Sequence, residues 1–266
     1  MKITDAPILE FDDDDNHAAI DHFFNQGKKD FNSFKKAINL GIDGCIVFLS
    51  RAFNLLTEIT PKCEKIYEFK SANTVSPIYI YDNKILIALS PLGGPATANL
   101  IEELSFVGIK KFFALGTCGC IRPDIDENLF IIPTSAIRDE GLSYHYLPPS
   151  REVETTPEAV RALAKSLEKR KMPFTFAKVW TCDAFYRETP IRTERRRKEG
   201  AIAVEMECAS MAAIVKHKGL TFGQVLYISD YVQDNSWRLR VYDRIKLRTE
   251  LTLACIDACL SLPKNK

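Results

Sequence analysis

The sequence has almost no net charge. Lys and Arg total 36 against 35 Asp and Glu, a formal charge of +1, so no global field is available to hold a polyanion and no nucleic-acid partner is expected. It also lacks a long apolar run: residues 45–49 and 84–89 fall far short of the roughly 20 residues that a membrane span needs. The first residues carry four consecutive aspartates at 12–15, the reverse of a basic region leading into an apolar signal core. A soluble, cytoplasmic protein with no membrane partner is therefore expected. The eight cysteines form no CxxC pair and no Cys/His spacing of zinc type, which predicts buried free thiols and no metal site. Neither a Pro/Gly/Ser linker nor a repeat of 20–50 residues interrupts the 266 residues, 46% of them hydrophobic, so one core is expected.

Residues 1–40 are polar and broken, a segment expected to pack on the core or on a neighbouring subunit ahead of a domain over 41–266. The aspartates lack the alternate ligands, turn glycine and terminal Glu of an EF-hand and read as a solvated turn. From there apolar patterning predicts a strand over 44–50, a helix over 51–60, and strands over 78–81 and 84–89 around an Asp82-Asn83 turn. A loop at 90–95 leads into a helix at 96–106, then strands at 111–115 and 128–134. Thr155, Thr156 and Pro157 mark the start of a helix over 157–171, with Val160, Leu163, Ala164 and Leu167 at helical spacing. A strand at 174–181, a helix at 206–216, a strand at 223–229 and a helix at 242–260 follow. The alternation predicts an α/β domain with a central twisted mixed sheet flanked by helices.

Polar residues at the carboxyl ends of such strands face the crevice where ligands bind. Gly116-Thr117, Cys182-Asp183 and Ser229-Asp230 meet that description. Glu205 and Glu207 stand two apart where an extended segment enters a helix, and in extended backbone i and i+2 point the same way. Spacing alone leaves a shared site and a surface pair equally open.

Five strings occur in order: Pro91-Leu92-Gly93-Gly94-Pro95 before a Glu-Glu-Leu helix, Leu115-Gly116-Thr117-Cys118-Gly119, Asp183-Ala184-Phe185-Tyr186, Ala203-Val204-Glu205-Met206-Glu207, and Ile228-Ser229-Asp230. Together with the stretch 139–148 they resemble the type I nucleoside phosphorylase and nucleosidase superfamily, in the branch holding uridine phosphorylase and purine nucleoside phosphorylase, from about residue 40 to the carboxyl terminus. The resemblance implies a nucleoside phosphorylase-like sheet, partly closed, and phosphorolysis of a nucleoside to free base and ribose 1-phosphate, with inorganic phosphate as co-substrate and no cofactor. It implies ribose binding by Glu207 and Met206, and by His17 reaching a neighbouring subunit in a homodimer or a hexamer of dimers. Phe185, Val204 and Cys182 would wall the base, and Asp230 would stand where purine-cleaving members keep the acid beside N7, protonated by burial. Arg51 and Thr117 would bind phosphate.

The resemblance breaks at the phosphate end. The family's Gly-Asp-Pro-x-Arg loop reads Val47-Phe48-Leu49-Ser50-Arg51, and the Arg that phosphorylases carry two residues before Gly116 is Ala114, leaving Lys70 as a speculative substitute for a neighbour's Arg. A hydrolytic nucleosidase and a non-catalytic nucleoside-binding protein therefore stay open. Thr189 and Ile191 fall where uridine-type members read uracil with Gln and Arg, which favours purine, although a one-residue slip brings in Arg192. Arg195, Arg196 and Arg197 read as a solvated helix face, and Arg244 as either a support for the Asp230 loop or a surface residue.

Overall fold

The run at β1 (Gly44–Phe48) is buried at every residue, as expected of a strand covered on both faces. Its two neighbours, β4 (Ile85–Leu89) and β5 (Lys111–Cys120), run parallel to it. The structure, a computed structural model, describes residues 6–10, 31–49, 59–71, 74–233, 236–240 and 245–264. Beyond β4 the sheet continues antiparallel through β3 (Thr74–Tyr81) to β2 (Cys63–Ser71). Asp82, Asn83 and Lys84 link β3 to β4: Asp82 and Asn83 are left-handed, with φ of 49° and 54°, and the Lys84 N–H closes the turn on the Tyr81 carbonyl at 2.9 Å.

On the other side of β5 the sheet closes on itself. β10 (Thr221–Gln233) runs parallel to β5 and antiparallel to β6 (Phe130–Asp139), and β6 is parallel to β8 (Phe174–Cys182). β8 is parallel to β9 (Ala201–Glu205), which returns antiparallel to the end of β5. Five strands thus form a ring, and β1, β4, β3 and β2 extend from it as an open wing. Two short strands sit outside this path: β7 (Glu152–Glu154) on β6 and β11 (Ser236–Leu239) on β10. The expected α/β fold with a partly closed mixed sheet is the observed one.

Six α-helices are present among the described residues. α2 (Gly94–Phe106) and α5 (Cys208–His217) bury Leu100, Leu104, Met211 and Ile214 in one cluster, which also takes in Phe34 and Ala37 around the short α1 (Lys35–Asn39). α3 (Pro157–Lys169) and α6 (Ile245–Ser261) bury Val160, Leu163, Leu251 and Cys255 in a second cluster. α4 (Pro190–Lys198) lies against β9. No helix among the described residues is long and apolar enough to cross a membrane.

Three expectations need correction. β5 does not stop at Leu115 but runs on through Gly116-Thr117-Cys118-Gly119 to Cys120, because β10 pairs with it along that length. β10 likewise continues past Ser229-Asp230 to Gln233, held by β11, a strand that sequence patterning does not reveal. α5 starts at Cys208 rather than 206 because the preceding residues still belong to β9 and its exit turn. Most of the helix expected over 51–60, and the aspartates at 12–15, lie outside the described residues.

Candidate active site

The carboxyl ends of β1, β4, β5 and β10 open on one side of the sheet around a cavity of about 560 Å³. Leu49, Leu89, Thr117 and Asp230 line it from those four ends. β9 reaches the same place from the opposite direction and delivers Val204 and Glu205, with Met206 and Glu207 just beyond. The candidate residues Thr117, Phe185, Val204, Met206, Glu207 and Asp230, which span more than a hundred positions of sequence, therefore share one space.

Of the two arrangements that their spacing leaves open, Glu205 and Glu207 take the shared one and both line the cavity, but the fold gives them different work. Glu205 accepts the Thr181 hydroxyl, and its Oε2 accepts the backbone N–H of Glu207 at 2.8 Å and of Cys208 at 2.7 Å. These are early donors of α5 that lack intrahelical partners, so Glu205 caps the helix. Burial and the neighbouring Glu207 carboxyl push it up to about 8 despite those three bonds. Glu207 Oε1 accepts the Gly93 N–H at 2.7 Å. Gly93 has φ of 93°, a backbone that L side chains rarely adopt, and this turns the 90–95 loop onto the glutamate. Burial raises the Glu207 pKa as well.

Asp230 follows a β-bulge. Ile228 pairs with Cys118 and Asp230 with Gly119, so Ser229 is the extra residue that re-aims the strand. A Cβ on Gly119 would stand 2.9 Å from Asp230 Oδ2 and 3.0 Å from Val232 Cγ2, so only glycine leaves room for the carboxyl. Trp237 of β11 donates its indole N–H to Oδ2 at 2.9 Å, and an indole N–H only donates, so Oδ2 is an acceptor. Ser229 Oγ lies 2.6 Å from Oδ1 and 3.3 Å from the Cys118 carbonyl. A hydroxyl has one proton: either Ser229 donates to an ionised Asp230, or it donates to Cys118 and accepts a proton carried on Oδ1. Sequence reasoning missed Trp237 because β11 reaches Asp230 only through sheet pairing.

Of the residues expected to wall a base, Phe185 is 45% exposed and lines the cavity together with Val204, but Cys182 corrects the sequence reading. It is buried in a core cluster with Trp180 and Val204 and does not line the cavity. Thr189 and Ile191 do not line it either; Thr189 stands at the N-terminal boundary of α4 and Ile191 is exposed. Glu188, which no motif singles out, does line it. Burial and the Asp230 charge push its pKa up to about 7.

Thr117 is half-buried and lines the cavity, as do Ser76 and Ser90. Ala114 is fully buried in β5 between Val47 and Gln224 and lies off the cavity. Lys70 is exposed, 3.6 Å from Glu68, and does not line the cavity. Arg51, His17 and Arg244 lie outside the described residues. No lysine or arginine is among the described lining residues, whereas four carboxylic side chains are. Among the described residues no group of three or more His, Cys, Asp or Glu could hold a metal ion. The triple arginine is not one solvated face: Arg196 is buried against Trp180 and pairs with Asp139 at 2.9 Å and Glu199 at 2.8 Å, while Arg195 is exposed.

Residues 43–261 match the family model described as the phosphorylase superfamily. A guanosine phosphorylase of Halorubrum lacusprofundi is 31% identical over 148 residues, 54% of this chain and 61% of its own length. A uridine phosphorylase of Haemophilus influenzae is 30% identical over 108 residues, 41% and 43% of the two chains. A DeoD-type purine nucleoside phosphorylase of Colwellia psychrerythraea is 27% identical over 155 residues, 56% and 65% of the two chains. The alignment spans less than two thirds of each relative. With the family match running from the start of β1 to the end of α6, and so through every strand that ends at the cavity, the chain belongs to the phosphorylase superfamily.

Proposed function

We propose that this protein cleaves the N-glycosidic bond of a nucleoside, preferentially a purine nucleoside, by phosphorolysis, releasing free base and ribose 1-phosphate. The observation that carries the reading is a single cavity in which Glu207 and Asp230 are both buried, with the Phe185 ring at its edge. Relatives named guanosine, uridine and purine nucleoside phosphorylase support the same chemistry.

Glycosidic cleavage builds positive charge on the ribose and negative charge on the base, and each needs its own partner. A carboxylate at Glu207, alongside Met206, accepts two hydrogen bonds from the ribose 2′ and 3′ hydroxyls, contacts that strengthen as the sugar becomes cationic. Phe185, with Val204, packs the base. Asp230 hydrogen-bonds N7 and, when protonated on Oδ1, supplies the departing base with a proton as the bond lengthens. Phosphate attacks C1′ from the opposite side, held by Arg51 and by the Thr117 hydroxyl. No cofactor enters this scheme.

Leu92 on the cavity wall is 78% exposed, and Tyr186, ring to ring with Phe185, is 94% exposed, which supports a homodimer or a trimer of dimers that covers this side and brings His17 to the ribose of the neighbouring subunit. A second reading, hydrolysis by water, is favoured by the carboxyl-rich lining without a described cation. Incubation with a nucleoside panel, with and without phosphate, and identification of the sugar separates the two. Ribose 1-phosphate formed in proportion to phosphate supports phosphorolysis, free ribose at a phosphate-independent rate establishes hydrolysis, and binding without cleavage makes the protein a nucleoside-binding homologue.

A further inference from the structure

We infer that Trp237 is a positioning residue for the leaving-group acid: its indole N–H holds the carboxylate that Asp230 becomes as its proton passes to the departing base. The inference rests on the phosphorolytic reading of the cavity and adds a partner to its acid. β11 pairs Leu239 with Asp230 and Trp237 with Val232, which puts Trp237 diagonally across from Asp230 on one face of the two-stranded ribbon. A large aromatic side chain spans such a diagonal, and the indole Nε1 lies 2.9 Å from Asp230 Oδ2. Neighbours in sequence fix the strand. Arg238 stacks over the Tyr231 ring at 4.5 Å, and Arg240 donates to the Glu127 carbonyl and, at 2.8 Å, to Asn128 Oδ1. Trp237 is 53% exposed, yet its N–H is turned to a carboxyl that is 9% exposed.

In phosphorolysis the C1′–N9 bond breaks with its electron pair passing to the purine, and a phosphate oxygen bonds to C1′. N7 takes the proton from Oδ1, whose bonding pair stays on Asp230. Hydrogen phosphate loses a proton on becoming the ribose ester, and that proton restores the acid. Between the two transfers Asp230 is an anion in a cavity that also holds Glu188, Glu205 and Glu207, with no lysine or arginine among its described lining residues. A further negative charge there is unfavourable unless donors already point at it. An indole N–H only donates, so it bonds Oδ2 in both states and more strongly once the carboxyl is ionised. It also keeps the acid proton off Oδ2 and on Oδ1, the oxygen 2.6 Å from Ser229 Oγ. The Ser229 hydroxyl accepts from the protonated acid and turns to donate to the carboxylate. Trp237 is thus the fixed donor and Ser229 the adjustable one.

Two variants remove the donor: Trp237→Phe keeps a ring, and benzothienylalanine at position 237 keeps the indole outline with sulfur in place of the N–H. Both are compared with the wild-type protein and Asp230→Asn on inosine and 7-methylinosine, with phosphate present. A methyl on N7 makes the base a cation that leaves as a neutral molecule, with no proton from Asp230. Both Trp237 variants are expected to lower kcat for inosine about 10- to 100-fold, the loss of a hydrogen bond to a charged group, with KM little changed. On 7-methylinosine kcat should hold. An unchanged kcat for inosine in both variants would overturn the inference, and so would an equal fall on both nucleosides, the mark of a merely structural residue. Inosine turnover that survives Asp230→Asn would instead remove the acid from the proposed mechanism.

The indole proton–nitrogen NMR signal of Trp237, identified by its absence from Trp237→Phe, needs no turnover. It is expected to move upfield in Asp230→Asn, where the acceptor carries no charge. A signal that stays in place shows that Trp237 does not serve Asp230 and overturns the inference whatever the activity. If it moves and no nucleoside is cleaved, the phosphorolytic reading fails and the role of Trp237 with it, while the pairing of the two side chains stands.

Discussion

Asp230 is held by two side chains, Ser229 in its own strand and Trp237 on β11, and Gly119 on β5 leaves the room it occupies. On the proposed mechanism Asp230→Asn keeps nucleoside binding and loses turnover by about 10²- to 10⁴-fold, because the amide is nearly isosteric but gives up no proton; single-turnover kinetics with a matched binding titration measures both. Glu207→Ala is expected to weaken nucleoside binding and slow the chemical step together, since its sugar contacts tighten as charge develops. Unaltered kinetics in either variant would remove that residue from the site. Glu205 makes a separate prediction about stability. Its folded pKa of about 8 lies above the ordinary 4.5, so the folded state holds this proton more tightly than the unfolded chain does. Its contribution is fully present below about pH 4.5 and is lost as pH rises through 8. Urea midpoints of the wild-type protein should fall between pH 5 and pH 8 more than those of Glu205→Gln, and parallel curves for the two proteins would contradict it.

At the level of elements, the cavity depends on two strands that run beyond their apolar stretches. β5 and β10 stay paired past Ile228 and Cys118 only because the bulge at Ser229 absorbs one residue and Gly119 leaves a gap opposite Asp230. Gly119→Ala places a methyl against the Asp230 carboxyl and the Val232 side chain, so it should cost about 1–3 kcal/mol of stability and lower kcat more than it raises the nucleoside KM. Thermal melts and steady-state kinetics test the pair of effects; a variant with normal kcat would show that the strand can yield without moving Asp230. This is also where sequence legibility ran out. Alternation and apolar runs located the cores of β5 and β10, but residues 116–120 are small or polar and Ser229-Asp230 interrupts the apolar run of β10, so cross-strand pairing decides that both strands continue.

For the molecule as a whole, the closed ring and the open wing meet at β5, and the cavity lies at that junction, lined from both. The ring side brings Val204, Glu205 and Asp230, and the wing side brings Leu49, Val75 and Leu89. On the proposed reading phosphate enters from the wing, where Arg51 follows β1, and with Ala114 in place of a second arginine the site binds phosphate weakly. The rate of purine nucleoside cleavage should therefore rise with phosphate and saturate only at high concentration. Arg51→Ala should raise the KM for phosphate about 10- to 100-fold, the loss of a charge-assisted pair, with the nucleoside KM little changed. Initial rates over a phosphate series decide it, and a phosphate-independent rate in both proteins would favour water as the acceptor.

What the amino-acid sequence determined by itself was whatever is encoded by near neighbours. The period of the apolar residues placed the helix at Pro157–Lys169 and the strand at Gly44–Phe48, Asp82-Asn83 specified its hairpin turn, and the ordered motifs marked Glu207 and Asp230. The tertiary structure alone decided which faces reach the cavity. It turned Cys182 into the core, brought Trp237 onto Asp230, buried Arg196 beside Asp139, and set Glu188 rather than Thr189 or Ile191 on the cavity wall. The physical reason is register: a side chain's face flips with each residue along a strand, so a bulge or a pairing made with a segment a hundred residues away determines what it touches, and no local pattern records that choice.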